Sequence, residues 1–178
     1  MANRGNKKDL SDVMKLILMT AIGLFVAIVG YPLLHELGHS LAAVLLGGKV
    51  LDFQLLPLPN ILCDSTGLST LFISIIGLSG MALPFLVSVC IRTKGYYLWF
   101  AGLILKGINF LSFFISIIAV FMYMGGNPIN NEDVTQVISF QAMSPWQVLI
   151  AVLLPACICI FAIIKEHPIK QICDFFKV

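Results

Sequence analysis

The sequence predicts an all-α membrane protein: a bundle of four to five transmembrane helices, with a short edge strand or re-entrant loop near residues 49–66. Three observations carry this expectation. Of the 178 residues, 59% are hydrophobic and only 11% are charged, and mean hydropathy is +0.98; soluble domains carry about 25% charged residues. The apolar residues fall into long runs, most of them near or above the roughly 20 residues that cross a bilayer as a helix. Between the runs lie short segments rich in Gly, Pro, Asn and Asp, which interrupt helices. The length suits one domain, residues 1–178. A net charge of +2 leaves no electrostatic footprint for a nucleic-acid partner.

The first twelve residues are polar and basic (Arg4, Lys7, Lys8) and precede an apolar run. This imitates a secretory signal, but the run continues past any small-residue cleavage site, so the segment is expected to be retained. The run from Val13 to Leu46 would measure about 51 Å as one straight helix, against a hydrocarbon core of about 30 Å. Gly30-Tyr31-Pro32 supplies the expected break, because Pro32 removes a backbone donor and disfavours helix at Tyr31. Gly47-Gly48 then ends the second helix. Residues 50–55 alternate in a strand-like way before Pro57 and Pro59, which places any strand at an edge, and residues 64–67 read as a turn. An edge there can pair with an extended peptide by strand addition, making Phe53 and Gln54 candidate substrate-binding residues; a plain connector is the competing reading.

Leu68–Ile91 is the next span, with Ser74, Gly77 and Gly80 forming a smooth stripe suited to close helix packing and Pro84 bending it. A basic turn at residues 92–95 leads to the span Tyr96–Met124. This span holds Lys106, which can snorkel, and Asn109, which can bond across helices or to a substrate backbone. A short helix is expected near Val134, capped by Asn130 or Asn131. The last span runs from Pro145 to Ile164, and an interfacial helix follows, with Ile169, Ile172, Cys173 and Phe176 on one face. Nine of the eleven Lys/Arg residues lie at the N-terminus, in the 92–95 turn and in the C-terminal tail. By the positive-inside rule this puts both termini in the cytoplasm, in a cell membrane. The five cysteines match no disulfide or metal framework and read as structural.

Chemistry concentrates at His35-Glu36-Leu37-Gly38-His39, an H-E-x-x-H segment inside an apolar run. On a helix the two imidazoles lie one turn apart on one face and can hold one Zn²⁺, with Glu36 as general base for water. Ionisable groups at membrane depth are costly and point to function. A catalytic zinc takes three protein ligands. His167 lies in the tail, so a carboxylate is expected as the third: Asp133, Glu132, Asp64 or Asp52. Acidic residues in a first helical turn are also favoured by the helix dipole alone, so the residues leave that choice open, with Asp133 the preferred candidate.

His35 to Ala43, followed by Leu46-Gly47-Gly48-Lys49-Val50, resembles the motif helix of the site-2 protease family of intramembrane zinc metalloproteases. Gly77-Leu78-Ser79-Gly80 resembles the glycine-bearing segment of that family's next core helix. The family often supplies its third ligand from Asn-Pro-x-Asp-Gly. Here Asn127-Pro128-Ile129-Asn130-Asn131 departs from the pattern, with Asn130 where that Asp would stand. Asn131-Glu132-Asp133 leading to Pro145-Trp146 is similar to the looser acidic segment of smaller relatives. The resemblance covers residues 30–155, and no added soluble module is evident. It implies hydrolysis of peptide bonds in membrane-spanning or membrane-bound peptides, with His35, His39 and Asp133 on one zinc ion and Glu36 as base. Two other classes compete: a metal transporter or sensor, and an inactive protease-like protein that binds a partner helix.

Overall fold

A computed structural model describes residues 3–54, 59–64, 66–91, 95–130, 132–141 and 143–176, with side chains from residue 10 onward. Leu55, Pro57, the basic turn at 92–94, Asn131 and Lys177 lie outside the described residues, as do the side chains of Arg4, Lys7 and Lys8. The chain is an all-α membrane bundle with one small sheet. In order it comprises α1 (Asn3–Phe25), a π turn (Val26–Gly30), α2 (Tyr31–Leu45), β1 (Lys49–Gln54), β2 (Asn60–Asp64), α3 (Thr70–Cys90), α4 (Tyr96–Met124), α5 (Asp133–Ser139), α6 (Pro145–Lys165) and α7 (Pro168–Phe176). Among the described residues four helical stretches are long and apolar enough to cross a membrane: Leu10–Leu45, Thr70–Cys90, Tyr96–Met124 and Pro145–Phe176. Many of their large apolar side chains face outward, among them Leu98, Ile150 and Phe161, each at least 65% exposed; in lipid such exposure carries no penalty.

The expected path of the first apolar run needs correction. The chain does not break at Gly30-Tyr31-Pro32. Gly30 and Tyr31 keep helical dihedrals, and the Tyr31 N–H reaches back five residues to the Val26 carbonyl. Pro32, which has no N–H, sits in the first turn of α2, where the wider π turn absorbs the missing bond. The expected edge strand near residues 49–66 is present, and it forms half of a hairpin. β1 pairs antiparallel with β2, with Phe53 opposite Ile61 and Gln54 opposite Asn60. The turn after β2 is as expected: the Thr66 N–H donates to Asp64 Oδ1 at 2.9 Å, and Gly67 takes φ +83°.

Helix ends follow local chemistry. Ser69 caps α3 and Ser144 caps α6, the latter with Gln147 reciprocating in a capping box. Gly47 and Gly126 take positive φ after α2 and α4. The expected cap of α5, Asn130 or Asn131, is replaced by Glu132, whose carboxylate accepts from the N–H groups of Val134 and Thr135.

The packing sets two pairs side by side: α2 lies chiefly on α3, and α4 on α6, with α3 also against α4 and the short α5. The core sits where α3, α4, α5 and α6 meet, around Met81, Phe113, Val120, Val134, Val137 and Val148. The α2–α3 contact is tight. A Cβ built on Gly38 would overlap the Ser79 carbonyl, and one on Gly80 would overlap the His39 ring. Of the expected small-residue stripe, Gly80 therefore meets α2. Gly77 instead admits Val137 of α5, whose Cγ2 would lie 2.8 Å from a Cβ there. Because the Ser79 carbonyl is backbone and cannot swing aside, Gly38→Ala should lower stability by about 1–3 kcal/mol. Thermal unfolding of the purified protein in detergent measures this as a drop in Tm.

Candidate metal centre

α2 carries His35 and His39 on the face turned to α3, one turn apart, as i,i+4 geometry requires. Their Nε2 atoms lie 3.1 Å from each other. From α5, Asp133 Oδ2 approaches His35 Nε2 at 3.1 Å and His39 Nε2 at 3.4 Å. Their side chains are between 12% and 25% exposed. One ligand atom from each falls within 4.8 Å of the others, so His35, His39 and Asp133 form a group that can hold a metal ion. Two imidazole nitrogens this close, both facing one carboxylate oxygen, are stable only with a proton or a cation between them.

The surroundings aim these atoms. His39 Nδ1–H donates to the Ile76 carbonyl at 2.8 Å, which leaves the Nε2 lone pair directed at the site. The absence of a side chain at Gly80 makes room for both rings. Tyr31, one turn before His35, sets its ring 6.0 Å from the His35 ring. Asp133 is placed by its neighbour. Glu132 holds extended backbone (φ −94°, ψ 133°) and folds its carboxylate onto the first N–H groups of α5, while Ser116 Oγ donates to Glu132 Oε1 at 2.9 Å. Glu132 is thus consumed as a cap, and Asp133 is the carboxylate that reaches the imidazoles. Burial pushes the Asp133 carboxyl up, but the hydrogen bonds from His35 and His39 outweigh it and hold it well below the usual carboxylate range. Burial keeps Glu132 above that range, with Ser116 opposing.

A cavity of about 700 Å³ opens onto this group, and Glu36 lines it with Tyr31, Ile61, Cys63, Ser112 and Gln136. The Ile61 backbone N–H donates to the Glu36 carboxylate. Burial raises the Cys63 thiol, with Glu36 adding to the effect, so Cys63 stands beside the site as a neutral thiol.

The structure therefore brings His35, Glu36, His39 and Asp133 together. It leaves three other candidates apart. Phe53 and Gln54 lie on β1, whereas β2 forms the cavity wall, because the hairpin lays its second strand along α2. Asn109 is fully buried between helices, its amide donating to the Pro84 and Leu105 carbonyls at 3.1 and 2.9 Å; it meets the Pro84 carbonyl of α3 and does not line the cavity. Asp64 is engaged in its turn and Asp52 is exposed on β1. Sequence reasoning missed β2 as the wall. The only signal for it was the short apolar Ile61-Leu62-Cys63 run after Pro59.

Fold and site together define a helical membrane protein with a two-histidine, one-carboxylate group suited to a metal ion. Comparison with known proteins extends this no further: no family model, no curated protein and no solved structure matches the chain.

If the cap and the ligand are assigned correctly, metal content separates them. Asp133→Asn, His35→Ala and His39→Ala should each cut bound metal per chain by tenfold or more, by about 1.4 kcal/mol per decade of affinity. Glu132→Gln, which can still accept the Val134 and Thr135 N–H groups, should retain it. Elemental analysis of purified protein reads both.

Proposed function

We propose that this protein is an intramembrane zinc metalloprotease similar to the site-2 proteases, acting on membrane-spanning or membrane-bound peptides from a cell membrane, with both termini cytoplasmic. The observation that carries the reading is the convergence of His35, His39 and Asp133 in a cavity that Glu36 also lines. The residues fit the ion. Two imidazole nitrogens and one carboxylate oxygen are a common ligand set of catalytic zinc, Gly80 leaves the space beside them, and the carboxylate offsets the charge in a low-dielectric setting.

When bound, zinc supplies Lewis acidity: it lowers the pKa of water towards neutrality and polarises a carbonyl. The chain does the rest. His35 and His39 present Nε2, the latter locked by the Ile76 carbonyl. Glu36 takes the proton of the attacking water on its carboxylate and delivers it to the leaving amine nitrogen. The Ile61 N–H holds that carboxylate in place. A substrate helix must first unwind to expose the scissile amide, since its backbone groups are otherwise paired. The outer edge of β2, beside Glu36, offers a place for the extended segment by strand addition.

The test is cleavage of a membrane peptide by the full chain reconstituted in vesicles. Glu36→Gln should lower the rate by about 10²- to 10⁴-fold while metal content stays unchanged. Undiminished cleavage by that variant overturns the mechanism.

A further inference from the structure

A second cavity, of about 570 Å³, lies at the other end of the bundle, where α6 gives way to α7. Lys106 of α4 forms part of its wall and is 4% exposed, with Nζ 2.9 Å from Glu166 Oε1. A cation at this depth needs such a partner, so Lys106 is accounted for. The rest of the cavity is not. Glu166 Oε2 is buried and has no hydrogen-bond partner among the described residues, an unmet acceptor that costs free energy. Lys165 and Lys170, both exposed, line the same cavity from either side of the bend at His167, which takes φ +46°. Asp174 lines it as well. Both signs of charge therefore border one concave site.

The geometry points to a headgroup site for an ammonium-bearing phospholipid, the phosphodiester on Lys165 and Lys170 and the primary ammonium on Glu166 Oε2. The acyl chains have a surface to follow. Phe161, Ile164 and Ile169 are 67%, 64% and 79% exposed and stand on the same two helices as the lysines. Basic pockets between helices at a membrane surface are suited to lipid phosphates. The carboxylates choose among headgroups. A purely anionic head would satisfy the lysines but leave Glu166 Oε2 unmet. A choline head carries no N–H donor for that oxygen. A primary ammonium supplies three.

The test uses the full chain in detergent, titrated with phosphatidylethanolamine, phosphatidylcholine or phosphatidylglycerol of matched acyl chains, with bound lipid counted by native mass spectrometry. The ethanolamine lipid should bind about tenfold more tightly than either of the others, the scale of one charge-assisted hydrogen bond. Glu166→Gln should bring it down to the level of the choline lipid. Lys170→Gln, on the exposed face of α7 and outside the buried pair, should weaken the ethanolamine and choline lipids alike, and it serves as the deciding variant if Glu166→Gln does not fold. Equal binding of the three lipids, or tighter binding of phosphatidylglycerol, overturns the proposal. Displacement of the lipid by an equal concentration of glycerophosphoethanolamine, which has no acyl chains, overturns the lipid assignment in favour of a free phosphate ester. None of these readings depends on proteolysis.

Discussion

The close approach of α2 to α3 is the constraint from which the rest follows. At Gly38 the two backbones meet where no Cβ fits, and at the next residue of α2 the His39 ring occupies the space that a side chain at position 80 would fill. Helices in lipid gain little from apolar contact alone, so packing and interhelical hydrogen bonds decide their association. Here the same contact does both. It brings the Ile76 carbonyl within reach of His39 Nδ1, so one interhelical bond also sets the direction of a ligand nitrogen. Packing and site geometry are not separable in this region.

The second constraint is the short α5, which carries the only carboxylate among the described residues that pairs with both imidazoles. A seven-residue helix is marginal by itself. It persists because Val134, Val137 and Ile138 are buried in the core and because Glu132 caps it. Ser116 of α4 holds the cap from the other side. Asp133 is therefore located by three helices at once: α5 supplies it, α4 anchors its neighbour, and α3 admits Val137 at Gly77.

The long spans were legible because hydropathy reports them directly, and Tyr96–Met124 has the predicted bounds. The pair His35 and His39 was legible because i,i+4 spacing needs no tertiary information. Other features depend on partners remote in sequence. Nothing local tells Glu132 from Asp133. The extended backbone at residue 132 assigns one to the cap and the other to the site. β2 is five residues long and acquires its meaning from β1 and α2. The Lys106–Glu166 pair joins residues sixty apart, so Lys106 read as a snorkelling side chain, whereas the C-terminal bend brings a counter-charge down to it. The break expected at Pro32 failed for a different reason. Proline forbids one hydrogen bond, and a π turn accommodates that loss without ending the helix.

The two cavities lie at different levels of this bundle, and α4 contributes side chains to both. Ser112 and Ser116 face the metal centre, and Lys106 faces the opposite cavity. At about 1.5 Å per residue, Lys106 and Ser116 stand roughly 15 Å apart along the helix. Asn109 lies between them and is turned inward onto the Pro84 carbonyl. Depth along the chain agrees. Gly80 lies about 15 Å from the start of α3, at its midpoint, while Lys165 and Glu166 close α6. Each level can then answer to its own surroundings.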